Sequence, residues 1–315
     1  NLSPFHFDIY LLELIITFYK GCTITIIPEE LRMFPVNLLK FMQQQGVNFI
    51  FWVPTIMVNI ANMRLLDKIA LPLLKLIWFA GEVFPTKHFN YWRRALPKAT
   101  MVNLYGPIEI SLDCTFYIAD KELAENEPLP IGYPCRNTDI LLITDENKEA
   151  KTGETGELCV RGSSLALGYY NDPEKTGKAF TQNPLNCHFP EIIYRTGDYA
   201  FRKETGEIMF AGRRDDMIKH QGYRIELSEI ENEVVNLDFI ENACVLYNPK
   251  TARITLFYQS LRAVESKEIL VELQKKLPKY MFPTKFHQLE EMPMNANGKI
   301  DRNLLKIKYL YEENG

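Results

Sequence analysis

The segment Asn103-Leu-Tyr-Gly-Pro-Ile-Glu109 sets an aromatic ring, a glycine turn and a carboxylate within five residues. Such a set suits a nucleotide: a ring to stack on a base, bare backbone near a phosphate, and an acid for a hard metal ion. Ile108, between Pro107 and Glu109, offers a phosphate nothing. Other short stretches carry chemistry-bearing residues: "FHFD" with Asp8, "FAGE" with Gly81 and Glu82, "YRTGD" with Asp198, "GRRDD" with Arg213 and Asp215, and "NANGKIDR" with Lys299. Taken singly, each has a plain structural reading. Asp198 is also an ordinary turn aspartate, "GRRDD" a solvated charge run at a linker, and Lys299 an exposed turn lysine.

Composition bounds the choices. At 315 residues and 46% hydrophobic content, the chain can fill the cores of two domains. A net charge of −4 leaves no basic footprint for nucleic acid. The six cysteines are scattered without a C-x-x-C pair, and the five histidines lack metal-ligand spacing. This pattern fits reduced thiols in a cytoplasmic enzyme without structural zinc. The longest apolar run, Ile9 to Tyr19, contains Glu13 and falls short of the roughly 20 residues a bilayer requires. No signal peptide opens the chain, and "SPFHFD" after Asn1 reads as the middle of a domain.

Positioning elements follow from hydrophobic period. Cys22–Ile27, Val47–Val53, Leu74–Ala80 and Thr100–Leu104 read as strands of a parallel sheet covered on both faces. Between them, Pro35–Gln45, Thr55–Leu66 and Thr86–Ala95 read as helices. The turns after the strands (Pro54-Thr55, Gly81-Glu82, Tyr105-Gly106-Pro107) should therefore converge on one crevice at the carboxyl edge of the sheet. Residues 1–110 form this α/β subdomain. Residues 111–212, with short β runs such as Asp139–Ile143 and Gly156–Val160, predict a β-rich barrel or curled sheet. Residues 213–315 predict a mobile α+β C-terminal module. Its first helix, "SEIENEVVN", opens with a Ser228/Glu231 capping box; strands Ala243–Tyr247 and Arg253–Tyr258 and a helix over Ser266–Leu277 follow.

The ordered succession of "FHFDIY", "FAGE", "NLYGPIE", "GELCVRGSSLALGYY", "YRTGD", "GRRDDMIKHQGYRIELSEIE" and "PMNANGKIDR" resembles the adenylate-forming (AMP-binding) enzymes. Within them it is similar to the amino-acid adenylation domains of nonribosomal peptide synthetases. "FAGEVFP", "LPIGYP" and "HQGYRIELSEIE" are similar to the D-alanine–carrier-protein ligases. The resemblance implies that a carboxylate attacks the α-phosphorus of ATP to give an aminoacyl-AMP, and that a carrier-protein phosphopantetheine thiol then takes the acyl group. It assigns nucleotide binding to Gly81, Glu82, Tyr105, Gly106, Asp198 and Arg213, with Tyr105 on adenine and Asp198 on the ribose hydroxyls. Glu109 would hold Mg²⁺, Lys299 would offset charge on the α-phosphate, Asp215 would be the hinge, and Gly222 would line the pantetheine entry.

By the same carry-over, Asp8 binds the substrate ammonium, a role absent from acyl- and aryl-activating members; the competing reading is a helix N-cap. A buried Asp8 without a cation would cost about 3–5 kcal/mol. Ile9, Leu12, Thr55, Trp78, Ala80, Leu104, Leu112 and Asp113 take the remaining pocket positions, and bulky Trp78 favours a small side chain. Asp113 either meets a basic or hydroxylated substrate or, the simpler expectation, points to solvent. Two departures stand out. The pattern has Thr where Ile108 lies, and loss of that hydroxyl's bond, about 1.5–3 kcal/mol, predicts roughly ten- to hundredfold slower adenylation. The chain also contains no Ser/Thr/Gly-rich phosphate loop and no G-x-x-x-x-G-K. The 315 residues alone are therefore expected to bind AMP weakly and not to turn over ATP. The alternatives are an acyl- or aryl-CoA ligase and a non-catalytic interaction module with this fold.

Overall fold

A computed structural model describes residues 1–3, 5, 8–124, 127–213, 217–220, 223–249, 251–295 and 298–311. The chain divides into two compact units, Asn1–Ala211 and Gly212–Gly315. The first unit opens with α1 (Asp8–Lys20) and α2 (Pro35–Gln45), followed by β1 (Phe49–Trp52), α3 (Pro54–Asn62), β2 (Leu76–Ala80), α4 (Thr86–Ala95) and β3 (Thr100–Tyr105). Proline at the first turn starts both α2 and α3, where its missing N–H costs no helical bond. β1, β2 and β3 are parallel neighbours, and Phe51 pairs with Trp78, which pairs in turn with Val102. Phe79, Phe89 and Trp92 lie fully buried under this sheet with Ile77 and Met57.

The sheet then takes two antiparallel strands, β4 (Thr115–Ile118) and β5 (Tyr133–Pro134), so the α/β layer does not stop at residue 110 but reaches past it. A second, antiparallel sheet is built from β6 (Thr138–Ile143), β7 (Gly156–Gly162), β8 (Phe180–Gln182), β9 (Ile192–Arg202) and β10 (Ile208–Arg213), in the order β10-β9-β7-β6 with β8 against β9. A short helix, α5 (Pro173–Ala179), precedes β8 and is capped by the Asp172 carboxylate accepting from the Lys175 N–H. The bridge between Gly132 and Ile208 ties the two sheets together. An α/β layer, a β-rich part and a small α+β unit thus follow one another, as expected.

The second unit contains the hairpin β11 (Met217–His220) and β12 (Tyr223–Glu226), then α6 (Leu227–Val235), β13 (Ile240–Asn248), β14 (Arg253–Ser260), α7 (Ser266–Leu273), β15 (Lys285–Gln288) and α8 (Arg302–Leu305). β13 and β14 are antiparallel, β14 and β15 parallel, and Ile230, Val234, Val245, Leu256 and Ile269 form its core.

Several local expectations are corrected. Cys22–Ile27 does not form a strand: among the described residues its backbone is bonded only at Asn1 and Thr17, and an apolar run without a neighbouring strand has no ladder to join. The Ser228/Glu231 capping box does not form either. α6 starts at Leu227; Ser228 donates instead to the Glu226 carboxylate, and Glu231 turns inward. There its oxygens accept the Val245 N–H (2.5 Å) and the Arg302 guanidinium (2.6 Å), so tertiary partners outcompete the local cap. The helix expected to reach Leu66 ends at Asn62 before a 3₁₀ turn at Leu65–Asp67, and the one expected to reach Leu277 ends at Leu273.

Candidate adenylate site

The carboxyl edge of β3 carries the centre of the site. Tyr105 is its last residue, and the Tyr105 hydroxyl donates to Asp198 Oδ2 at 2.5 Å. Asp198 is buried, and its position follows from an irregularity in β9. Glu157 pairs with Tyr199 and Cys159 with Arg195, so Thr196, Gly197 and Asp198 together face the single residue Leu158. Such a bulge bends a strand and re-aims its side chains. Three bonds fix it: Thr196 Oγ1 donates to the Leu158 carbonyl (2.7 Å) and accepts the Asp198 N–H (2.9 Å), and Glu157 Oε1 accepts the Gly197 N–H (3.2 Å). Gly197 has φ +72°, a conformation that favours glycine. Burial, and then the Asp198 charge, push the Tyr105 phenol well above its ordinary pKa, so it remains a donor. The Phe210 ring of β10 lies 6.2 Å from the Tyr105 ring.

The loop from Gly106 to Cys114, between β3 and β4, holds three further candidates. Its path depends on Gly106: a β-carbon there would meet the Leu112 carbonyl oxygen at 2.1 Å and Asp113 Cα at 2.5 Å. The loop therefore folds directly over this glycine, with Ser111 at φ +60° and Leu112 at φ +103°. Glu109 is half-buried, and its Oε1 accepts the Tyr169 hydroxyl at 2.7 Å. Tyr169, from "LGYY", is a supporting residue that the sequence did not single out; two adjacent tyrosines in a turn-rich stretch give no sign that one will reach across 60 residues. Ile108 is 61% exposed. Glu109 offers the hard oxygen that Mg²⁺ prefers, and Mg²⁺ commonly uses one or two carboxylates together with substrate phosphates. That donor chemistry fits the ion. No group of three metal-ligating side chains exists among the described residues.

Glu82 and Thr55 meet each other. The Glu82 Oε2 accepts both the N–H (3.0 Å) and the hydroxyl (2.6 Å) of Thr55, placing a carboxylate at the positive end of α3. Gly81 joins β2 to Glu82 at φ +90°. Beneath these turns, Phe51, Ala80, Val102 and Leu104 form an apolar wall, against which Ile9 and Leu12 of α1 and Trp78 of β2 pack. Five positions read from sequence as one substrate pocket therefore lie together. The indole Nε1 of Trp78 is buried without an acceptor.

Asp8 begins α1, and its Oδ1 accepts the N–H of Ile9 at 2.9 Å, a bond to the next residue and not to a later helical N–H. Asp113 is half-buried, and burial and then the Asp8 charge raise its pKa to about 8. Arg213 ends β10 and is exposed. Lys299 belongs to the second unit, on a turn where Asn295 Oδ1 accepts its N–H (3.1 Å) and its carbonyl accepts the Asn295 N–H (2.7 Å). The expected hinge Asp215 and pantetheine-lining Gly222 lie outside the described residues. No helix among the described residues is long and apolar enough to cross a membrane.

The sheet order and the bulge-held aspartate define an adenylate-forming enzyme fold. Residues 1–170 match the family model described as AMP-binding enzyme, and the chain belongs to that family. It is 34% identical over 311 residues to the delta-poly-L-ornithine synthetase of Acinetobacter baumannii, covering 96% of this chain and 22% of that protein. To the D-alanine–D-alanyl carrier protein ligase of Bacillus licheniformis it is 33% identical over 320 residues, covering 97% and 62%. A four-domain nonribosomal peptide synthetase, AB3403, solved in its holo form with AMP and glycine, superposes with a TM-score of 0.79 at 27% identity, over 96% of this chain and 22% of that one. The chain thus spans less than two thirds of the length of these curated relatives.

Proposed function

We propose that the polypeptide carrying this chain activates an amino acid with ATP as an aminoacyl-AMP and passes it to a phosphopantetheine thiol of a carrier protein. The observation that carries the reading is the presence in one unit of the Tyr105–Asp198 pair and of an apolar wall against which α1, the helix that Asp8 opens, packs through Ile9 and Leu12. In this account adenine stacks on Tyr105, and the Asp198 carboxylate accepts from ribose hydroxyls, a strong use of an ionised acceptor. Asp8 receives the substrate ammonium, which orients the substrate carboxylate toward the α-phosphorus. In the first step that carboxylate oxygen bonds to the α-phosphorus and pyrophosphate leaves. In the second, the thiol sulfur bonds to the acyl carbon and AMP leaves. Mg²⁺, when held by Glu109, would neutralise phosphate charge. Lys299 would supply a cation to the α-phosphate, Arg213 would brace the ribose, and Asp215 and Gly222 would serve as hinge and pantetheine entry. The relatives named for ornithine and D-alanine support an amino acid as substrate.

Amino-acid-dependent ATP–pyrophosphate exchange by the full-length polypeptide tests this reading. A panel of amino acids with acetate and benzoate should give exchange with amino acids only, and Asp8→Ala should lose about 10²-fold or more. Preference for a carboxylate without an amine, or indifference to Asp8→Ala, would instead favour a CoA-ligase chemistry.

A further inference from the structure

Glu109 lies on a 3₁₀ turn, Ile108–Ile110, in the loop that joins β3 to β4. The segment between β7 and α5 holds it at two points. The Glu109 carbonyl accepts the Ala166 N–H at 2.8 Å, and Glu109 Oε1 accepts the Tyr169 hydroxyl at 2.7 Å. That segment is itself fastened to α5. The Tyr169 N–H donates to Thr176 Oγ1 (2.9 Å), and Thr176 Oγ1 donates to the Asp172 carbonyl (2.8 Å). The Tyr169 carbonyl accepts the Asp172 N–H (3.2 Å), which closes the turn. Gly168 has φ +134°, and a β-carbon there would meet Thr176 Cγ2 at 2.5 Å, so the backbone presses directly on that threonine. The phenol ring is held as well. Phe180 of β8 is edge-on to it at 6.1 Å, and Lys175 Nζ lies 3.8 Å from its centroid. Phe180 in turn pairs with Tyr194 in the ladder of β8 and β9.

Resting on the reading of Glu109 as the Mg²⁺ ligand, we propose that Tyr169 is a positioning residue for that ion. Its hydroxyl sets the direction in which Glu109 presents its carboxylate, and Thr176 holds Tyr169 in place to do so. The packing of the ring needs no hydroxyl; the bond to Oε1 is what reaches the site. A half-buried glutamate left to itself samples several rotamers, and ordering it costs entropy at the moment the ion binds. A hydroxyl donated to one of its oxygens fixes the carboxylate plane beforehand. Mg²⁺ demands near-ideal octahedral geometry, so it is sensitive to how each ligand is turned. Hydrogen-bond partners standing behind a metal ligand are commonly worth about ten- to hundredfold in metal affinity.

Tyr169→Phe in the full-length polypeptide tests this, because it keeps the ring and removes the bond to Glu109. Two binding curves are compared by calorimetry: AMP without metal, and α,β-methylene-ATP across a series of Mg²⁺ concentrations. AMP affinity should stay within about twofold of wild type, while the Mg²⁺ concentration for half-maximal analogue binding rises about ten- to hundredfold. Excess Mg²⁺ should restore pyrophosphate exchange in the variant. Thr176→Val keeps a methyl against Gly168 but loses both hydroxyl bonds, and should move the Mg²⁺ midpoint the same way by a smaller factor. An unchanged midpoint in Tyr169→Phe, or equal losses of AMP and Mg²⁺-dependent binding, would mark the hydroxyl as structural and overturn the proposal. An unchanged midpoint in Thr176→Val would overturn the part given to that threonine. Glu109→Gln separates the two readings: if it also leaves the midpoint unchanged, Glu109 is not the Mg²⁺ ligand, and this inference falls with that reading.

Discussion

The Tyr105 hydroxyl donates to Asp198 Oδ2 although 93 residues separate them. This bond joins the tip of a parallel strand to a bulge in an antiparallel one, so the α/β layer and the β-rich sheet share one polar centre. Its supports, Glu157, Thr196 and Gly197, are part of the second sheet. The site therefore depends on both sheets being folded.

Gly106→Ala should damage the site from outside its chemistry. The new β-carbon would lie 2.1 Å from a carbonyl oxygen and 2.5 Å from a Cα, both backbone atoms that cannot swing aside. Overpacking of this kind costs about 1–3 kcal/mol, and the relief available is displacement of the 111–113 turn. Chemical denaturation should show the loss.

Ile108→Thr should raise adenylation about ten- to hundredfold in the full-length polypeptide, since it restores the hydroxyl that the family pattern assigns to a phosphate oxygen. The rate of pyrophosphate exchange reads this directly. No gain would favour a protein that keeps the fold without using it for catalysis.

Asp113→Asn should stabilise the protein near neutral pH. Burial and the Asp8 charge hold the folded pKa at about 8, while the unfolded chain releases its proton near the ordinary value of 3.8. Between those values the folded state binds more protons, so stability falls as pH rises through the window. The asparagine variant escapes this loss. Urea midpoints should show a gain on the order of 1–3 kcal/mol at about pH 7.5 that vanishes below about pH 4.

His88 predicts the opposite slope. Its Nε2 lies 2.8 Å from Asn62 Oδ1 and its buried Nδ1 has no partner, and burial lowers its pKa to about 3. On acidification the unfolded chain takes the proton first, near 6.5. The stability contribution is thus whole above that value and erodes as pH falls toward 3, by up to about 1.4 kcal/mol per pH unit. His88→Gln should flatten this slope in denaturation curves between about pH 6.5 and pH 4.

The parallel strands and their helices were legible because continuous apolar runs and proline starts are local signals. Helices at Pro35–Gln45 and Thr86–Ala95 match the sequence expectation at both ends. What escaped was decided at a distance. Cys22–Ile27 has the composition of a strand but no neighbouring strand, and Glu231 leaves its cap for Arg302, 71 residues away. The site shows the same division. Tyr105, Glu109 and Asp198 were recognisable as candidates, and Ile9, Leu12, Trp78, Ala80 and Leu104 share one apolar cluster. The placement of Asp113 was not legible, because it depends on Gly106 admitting a backbone turn, and spacing along the chain does not encode how closely two backbones approach.

In the proposed function Tyr105 and Asp198 form the floor of a nucleotide cleft. Titration of the full-length polypeptide with a nonhydrolysable aminoacyl-adenylate analogue, wild type against the isosteric Asp198→Asn, tests it most directly. The expected result is measurable binding that weakens about tenfold to a hundredfold in the variant, the worth of a lost charged hydrogen bond, while the variant's thermal melt shows a folded protein. Equal affinity of the two proteins for the analogue would contradict it.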